Sequence, residues 1–239
     1  MAKNVVKGSP ELMQKLNTSL VLELIKEHGP ISRSELARRT RLSNPTISIL
    51  IAPLIEEGIV QEVGTAASTG GRPARLLQFN AKAGYLVGVD IGGTNMVGAS
   101  VDLAGEVMVR RSFPSARGRE SVEALTALID DLIQATDLPR DSLRGIGLGI
   151  PGITDPSGQE VSLAPGVGWD NLSIGSILQE YFQVPLFADN DVNCFTRGEL
   201  WRGALRGVTN GAAITIGTGI GVGLVIDKHV YRGTRGAAG

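Results

Sequence analysis

Val89-Asp90-Ile91-Gly92-Gly93-Thr94-Asn95 and Ile216-Gly217-Thr218-Gly219-Ile220-Gly221-Val222-Gly223 lie far apart in the chain yet share one design. Each closes an apolar run of the kind that forms a buried strand. Each then places glycines where backbone N–H groups can approach an anion with no Cβ in the way. Together they predict the two halves of a phosphate clamp, with Gly92, Gly93 and Thr94 in the first and Gly217, Thr218, Gly219 and Gly221 in the second. Thr94 can donate to a phosphoryl oxygen. Asp90, at the strand end, is placed to hold a hydrated magnesium ion, because a carboxylate beside phosphates acts through a metal. A lone Gly-Gly turn would mark a hairpin as readily as a nucleotide site. The second cradle favours the nucleotide.

Around these cradles the pattern predicts strands over residues 85–89, 96–102 and 106–112, a helix over 121–135, and a strand over 145–150 leading into Pro151-Gly152-Ile153-Thr154. A further short strand, 186–188, delivers Asp189-Asn190-Asp191-Val192-Asn193 to a strand-to-helix junction. Carboxylates and carboxamides gathered there can hydrogen-bond a polyol, and one carboxylate could take a proton from its hydroxyl. A helix cap alone needs fewer polar groups.

Upstream, Leu12, Leu16, Leu20, Leu24 and Ile25 recur at helical spacing up to His28-Gly29-Pro30. Ser32 and Glu35 form a capping-box pattern for a short second helix to about Arg39. After Arg41-Leu42-Ser43, Ser43 or Asn44 can cap a third helix that admits Pro45 in its first turn and runs to Glu57-Gly58, with Pro53 expected to bend or interrupt it. This spacing matches a helix-turn-helix, whose last helix enters the major groove by its amino-terminal end. Ser43, Asn44, Thr46 and Ser48 would stand nearest the bases, with Arg38, Arg39 and Arg41 suited to phosphates. Strands over 59–63 and 75–79 form a hairpin wing whose tip, Gly70-Gly71-Arg72-Pro73, presents Arg72 to a narrow minor groove.

Charge agrees with this division. The net charge is -1, but the first 80 residues carry an excess of Lys and Arg and the remainder an excess of Asp and Glu. That suits a phosphate-facing module joined to a ligand-binding one. Cys194 is the one cysteine, and His28 and His229 are far apart, so no intrachain disulfide forms and a His/Cys metal site lacks ligands. No apolar run has the length of a membrane span and no leader pattern is present, so the expected location is the cytoplasm, with no membrane partner.

Asp90-Ile91-Gly92-Gly93-Thr94-Asn95, Gly149-Ile150-Pro151-Gly152, Asp189-Asn190-Asp191-Val192-Asn193 and Gly217-Thr218-Gly219-Ile220-Gly221, in this order, resemble the motifs of the ROK family of repressors and sugar kinases. The resemblance covers nearly the whole chain. It implies an α/β actin-like (ribonuclease H-like) sugar-kinase fold behind the winged helix-turn-helix. The implied organisation is a DNA-binding domain at 1–80, a linker at 81–84, a first lobe at 85–205 and the start of a second lobe at 206–239. By the same resemblance the first and last motifs bind ATP phosphates with magnesium, Asp191 is the general base on a sugar hydroxyl, and Gly152 and Asn190 join it in the sugar site. The family's zinc loop and its further sugar-contacting glutamate and histidine would follow Gly239, and this chain does not supply the zinc ligands. The sequence is therefore expected to be a fragment or a truncated gene product. The winged head places it with the repressors, expected to act as a homodimer or higher homo-oligomer on operator DNA under control of a sugar. An ATP-dependent hexose kinase with an accessory DNA-binding head is the alternative.

Overall fold

A computed structural model describes residues 9–65, 73–155, 157–217, 219–234, 236 and 238. The chain divides into two compact units, Met1–Ala83 and Gly84–Gly239.

In the first unit, α1 (Pro10–His28) begins at Ser9, whose Oγ accepts from the Leu12 N–H at 3.2 Å, and it buries Val21 and Ile25. Leu12, Leu16 and Leu20 of the predicted stripe stay exposed. A two-residue strand absent from the sequence reading, β1 (Ile31–Ser32), leads into α2 (Arg33–Thr40). Ser32 Oγ accepts from the Glu35 N–H as the capping pattern requires, but the Glu35 carboxylate turns forward to Arg38 and Arg39. Helix α3 (Asn44–Glu56) carries Pro45 in its first turn and is capped by Ser43, whose Oγ accepts from the Thr46 N–H at 3.3 Å.

Of the expected bend or interruption at Pro53, the interruption does not occur, and α3 runs through it. Proline removes only the N–H that would serve the Ile49 carbonyl, and Ile49 and Pro53 both lie on the exposed side, where water can replace that donor. Helix α3 buries Ile47, Leu50, Ile51 and Leu54, which form one core with Val21, Ile25, Leu36, Val60 and Leu77. The wing strands β2 (Val60–Thr65) and β3 (Arg75–Phe79) pair antiparallel, with β1 on the far side of β3. The predicted wing tip lies outside the described residues, except for Pro73.

The second unit is built on a five-stranded sheet of order β11-β7-β4-β5-β6. Strands β4 (Tyr85–Ile91), β5 (Asn95–Asp102) and β6 (Val107–Pro114) form an antiparallel meander, followed by α4 (Arg119–Ala135) and β7 (Leu143–Ile150). Strand β7 lies parallel to β4. A small sheet comes next, β8 (Ile153–Thr154), β9 (Val161–Ala164) and β10 (Trp169–Leu172), then α5 (Ile174–Phe182). The short strands of that sheet carry no clean period, whereas α5 does, with Ile174, Leu178 and Phe182 recurring at helical spacing and all buried.

Strand β11 (Leu186–Asn190) pairs parallel with β7 and runs directly into α6 (Asp191–Arg202). Val87, Val89 and Ile91 alternate with Gly88 and Asp90, so one face of the sheet joins Leu125, Leu128, Ile129 and Leu132 of α4 in the core. The other face carries Leu86 and Phe187, both exposed, and toward the carboxyl ends of the strands becomes small and polar, with Asp90, Gly149 and Asp189. Strands β12 (Gly211–Ile216), β13 (Ile220–Ile226) and β14 (His229–Tyr231) form a separate antiparallel sheet packed on α6. Its outward face exposes Ile214, Ile216 and Ile220.

Candidate functional site

In the second unit, the register of three neighbouring strands builds the site. Asp90 on β4 is opposite Gly149 on β7, and Gly149 is opposite Asp189 on β11. All three therefore share the small, polar face at the carboxyl ends of parallel strands, where open α/β sheets bind ligands. Gly149 leaves a gap. A Cβ there would stand 3.3 Å from an Asp90 carboxylate oxygen and 3.5 Å from the Asp191 Cα, so the missing side chain lets the two acids face the same space. Burial, and then the nearby Asp191 charge, raise the Asp90 pKa. The group still reaches solvent at the cleft mouth.

Asp189 differs in kind from its neighbours. It is 6% exposed, and its Oδ2 accepts from Arg232 Nε and Nη2 at 3.0 and 2.5 Å, with Arg197 Nε at 3.5 Å. Its Oδ1 accepts from Asn193 Nδ2 and from the Asn190 N–H. Asp189 is thus a structural anchor for the segment after β14. Asn190 caps α6, accepting from the Val192 and Asn193 N–H groups at 3.0 and 3.2 Å, and its Nδ2 donates to the Gly152 carbonyl at 3.1 Å. Asp191, first in the helix, is like Asp90 an acid at the cleft without a cationic partner among the described residues. Cys194 lies below it, and burial pushes its thiol up to about 12, so it stays protonated.

These groups line a cleft of about 1320 Å³ together with Gly217, Gly219 and Gly221 of the β12–β13 hairpin. The glycines differ in what they do. Gly217 and Gly219 have open space where a Cβ would stand, and the Gly217 N–H is bonded to the Gly219 carbonyl at 2.9 Å. At Gly221 a Cβ would collide with Val192, and at Gly223 with Thr196, so both let α6 lie directly on β13. Thr218 lies outside the described residues.

Gly92, Gly93 and Thr94 make the β4–β5 turn and are not among the cleft-lining residues. The Gly92 N–H is committed to the Asn95 carbonyl at 3.0 Å, and its own carbonyl accepts from Ser115 Oγ. The N–H groups of Gly93 and Thr94 have no acceptor among the described residues. Gly152 is held by packing as well as by Asn190, since a Cβ there would strike the backbone of β9. No group of three or more His, Cys, Asp or Glu able to hold a metal occurs among the described residues. Asp90 and Asp191 are thus two acids at the cleft without a counter-charge among the described residues.

In the first unit, α2, Arg41 and α3 present the second candidate surface. Arg41 adopts the left-handed conformation, φ 59°, that turns the chain between the helices. It is exposed and makes no ion pair among the described residues. The other arginines are committed: Arg38 and Arg39 share Glu35 and hold its carboxyl down to about 2, while Arg33 and Arg75 share Glu62. Ser43 and Thr46 bond each other through their hydroxyls at 2.8 Å, and Ser48 Oγ donates to the Asn44 carbonyl. Only the Asn44 side chain keeps its full capacity to donate and accept. Arg72 lies outside the described residues. The pairing of Arg197 and Arg232 with Asp189 was not foreseen, and no local signal in the sequence joins positions so far apart.

A winged helix-turn-helix followed by an actin-like α/β unit with acids at its strand ends defines a class in which a DNA-reading head accompanies a sugar-kinase-like cleft. The comparisons agree with that class. The ROK family profile matches residues 86–239, and a winged helix-turn-helix DNA-binding profile matches 14–61. The chain belongs to the ROK family.

The xylose repressor of Bacillus spizizenii is 35% identical over 231 residues, covering 95% of this chain and 59% of that protein. The dual regulator NagC of Escherichia coli is 27% identical over 236 residues, covering 97% of this chain and 58% of that protein. Among solved structures, a ROK transcriptional regulator homologous to the E. coli MLC protein superposes with a TM-score of 0.82 at 26% identity, over 95% of this chain and 58% of its own. A ROK glucokinase from Streptomyces griseus, solved with glucose and AMPPNP, superposes with a TM-score of 0.60 at 29% identity, over 65% of this chain and 48% of its own. The chain thus spans about 59% of the length of the curated relatives it matches.

Proposed function

We propose that this chain acts in a sugar-responsive transcriptional repressor. The observation that carries the reading is the presence, on one chain, of a winged helix-turn-helix with an open recognition helix and a cleft whose Asp191 faces open space. Arg41 and, by its sequence position, Arg72 contact phosphate and minor groove, and Asn44 and Ser48 face base edges. Ser43 and Thr46 hold the amino-terminal turn of α3 in shape. Two copies bind a partly palindromic operator, because half-site symmetry mirrors protein symmetry. A monosaccharide in the cleft, bonded to Asp191 beside the Asn190–Gly152 bridge, shifts the spacing of the heads through its different affinity for the two arrangements.

The carboxylate pair favours a second capacity of the same cleft. Asp90, which would hold magnesium, and the open turn at Gly217 and Gly219 suit ATP, which when bound would supply a transferable phosphoryl group. The Gly93 and Thr94 N–H groups, without an acceptor among the described residues, are on the neighbouring β4–β5 turn outside the cleft lining. Asp191 would then orient a sugar hydroxyl and accept its proton. Selection from random duplex DNA with the full-length protein, alone, with a panel of sugars and with ATP and magnesium, tests both capacities. A palindromic site whose affinity changes with one sugar is the expected result. Sugar-dependent ATP consumption with no enriched site would overturn the repressor reading and leave a kinase.

A further inference from the structure

Helix α3 buries Ile47, Leu50, Ile51 and Leu54, so at 3.6 residues per turn Ile49 points away from the core. It is 64% exposed. A single exposed apolar side chain is ordinary on a protein surface. Its surroundings set Ile49 apart. It stands in the middle of the open face of the recognition helix, with Asn44, Pro45, Ser48 and Ala52 exposed around it. From Asn44 to Ala52 that face carries no charge, the first on its stripe being the exposed Glu56 two turns beyond Ile49, and neither the first nor the last turn of α3 holds a charged residue of the sign that would complement its dipole. The arginines that could grip phosphates lie on α2 and at the turn, outside this face.

A small, uncharged, partly apolar surface fits the floor of a major groove better than its phosphate walls. The one apolar group displayed by base edges in that groove is the thymine C5-methyl. Isoleucine has no hydrogen-bonding capacity, so whatever discrimination it exerts is by apolar contact. Resting on the DNA-binding reading above, we propose that Ile49 is a specificity residue that packs against the methyl group of one thymine in each operator half-site.

The test replaces each thymine of the selected operator in turn with deoxyuridine, which removes only that methyl, and measures binding of the full-length protein and of Ile49→Ala. In the wild-type protein one position per half-site should lose about four-fold in affinity, the equivalent of about 0.8 kcal/mol for one apolar carbon returned to water. In Ile49→Ala the same substitution should have no effect, the two changes being non-additive because they remove one contact. Selection with Ile49→Ala should also lose the preference for thymine at that position. Ile49 is a surface residue, so an unchanged thermal midpoint is expected for the variant. Where Ile49→Ala binds too weakly to scan, Ile49→Val replaces it, with a deoxyuridine penalty smaller than that of wild type. A deoxyuridine profile that is the same in wild type and variant at every position overturns the assignment while leaving the repressor reading intact. A wild-type protein that selects no duplex overturns both.

Discussion

Asp90 and Asp191 face each other across the position where Gly149 has no side chain, and the arrangement has a consequence for stability. A carboxyl whose pKa is raised by folding opposes the folded state once it ionises. That opposition is absent below the unfolded carboxylate range, grows as pH rises toward the raised folded value, and is complete above it. Asp90→Asn is therefore expected to raise the thermal midpoint at pH 7, with the gain shrinking as pH falls toward the unfolded carboxylate value and gone below about 4. Thermal melts across that range check it, and a gain independent of pH would refute it.

Glycines in the second cradle separate in the same way into those that shape the fold and those that leave space. Gly223→Ala forces α6 off β13 and should cost roughly 1–3 kcal/mol in denaturant unfolding. Gly219→Ala meets nothing and should cost far less, while weakening nucleotide binding if the turn cradles phosphate. Local sequence showed that glycines were required at both places. Why each is required depended on α6, whose contact with β13 arises only when the chain folds.

At the scale of elements, the helix caps were legible and the partners of charged side chains were not. Ser32 and Ser43 sit where their spacing to the following N–H groups predicts. The reciprocal half of the Ser32 box was lost because Glu35 has two arginines within reach, and a charge-assisted bond to a guanidinium is stronger than one to an amide. Helix α3 survives Pro53 because the carbonyl it leaves unserved is on the wet side. Ser43→Ala should destabilise the first unit by about 1 kcal/mol, and Ser43→Asp should restore it, since either side chain caps. Operator affinity should follow stability in Ser43→Ala. Because a carboxylate beside DNA phosphates is itself repelled, the neutral cap Ser43→Asn is the test of a direct role at the bases, shown if it restores the fold but not DNA binding.

The whole molecule separates two tasks into two units, and its chromophores report on one of them. Trp169 and Trp201, its two tryptophans, both lie in the second unit. A cleft-binding sugar at about a hundred times its Kd should stabilise that unit by about 2.7 kcal/mol. Thermal unfolding followed by tryptophan fluorescence should therefore shift upward with the effector, while the part of the far-ultraviolet circular dichroism change that belongs to the helical first unit should not. A shift in neither signal with any sugar would remove the cleft as the effector site.

No helix among the described residues is long and apolar enough to cross a membrane. The sequence by itself determined the winged head, the strands that flank the glycine and acid motifs, the acid-bearing junction at Asp189 to Asn193 and the family, because these rest on short-range periodicity, capping chemistry and motifs that each lie within a few residues. Only the tertiary structure decided which acid is free and which is anchored, since Asp189 meets Arg232 through β14 and Asp191 meets Asp90 through the register of β4, β7 and β11. Those contacts join residues remote in the chain, and no local pattern encodes a distance that the sheet alone creates.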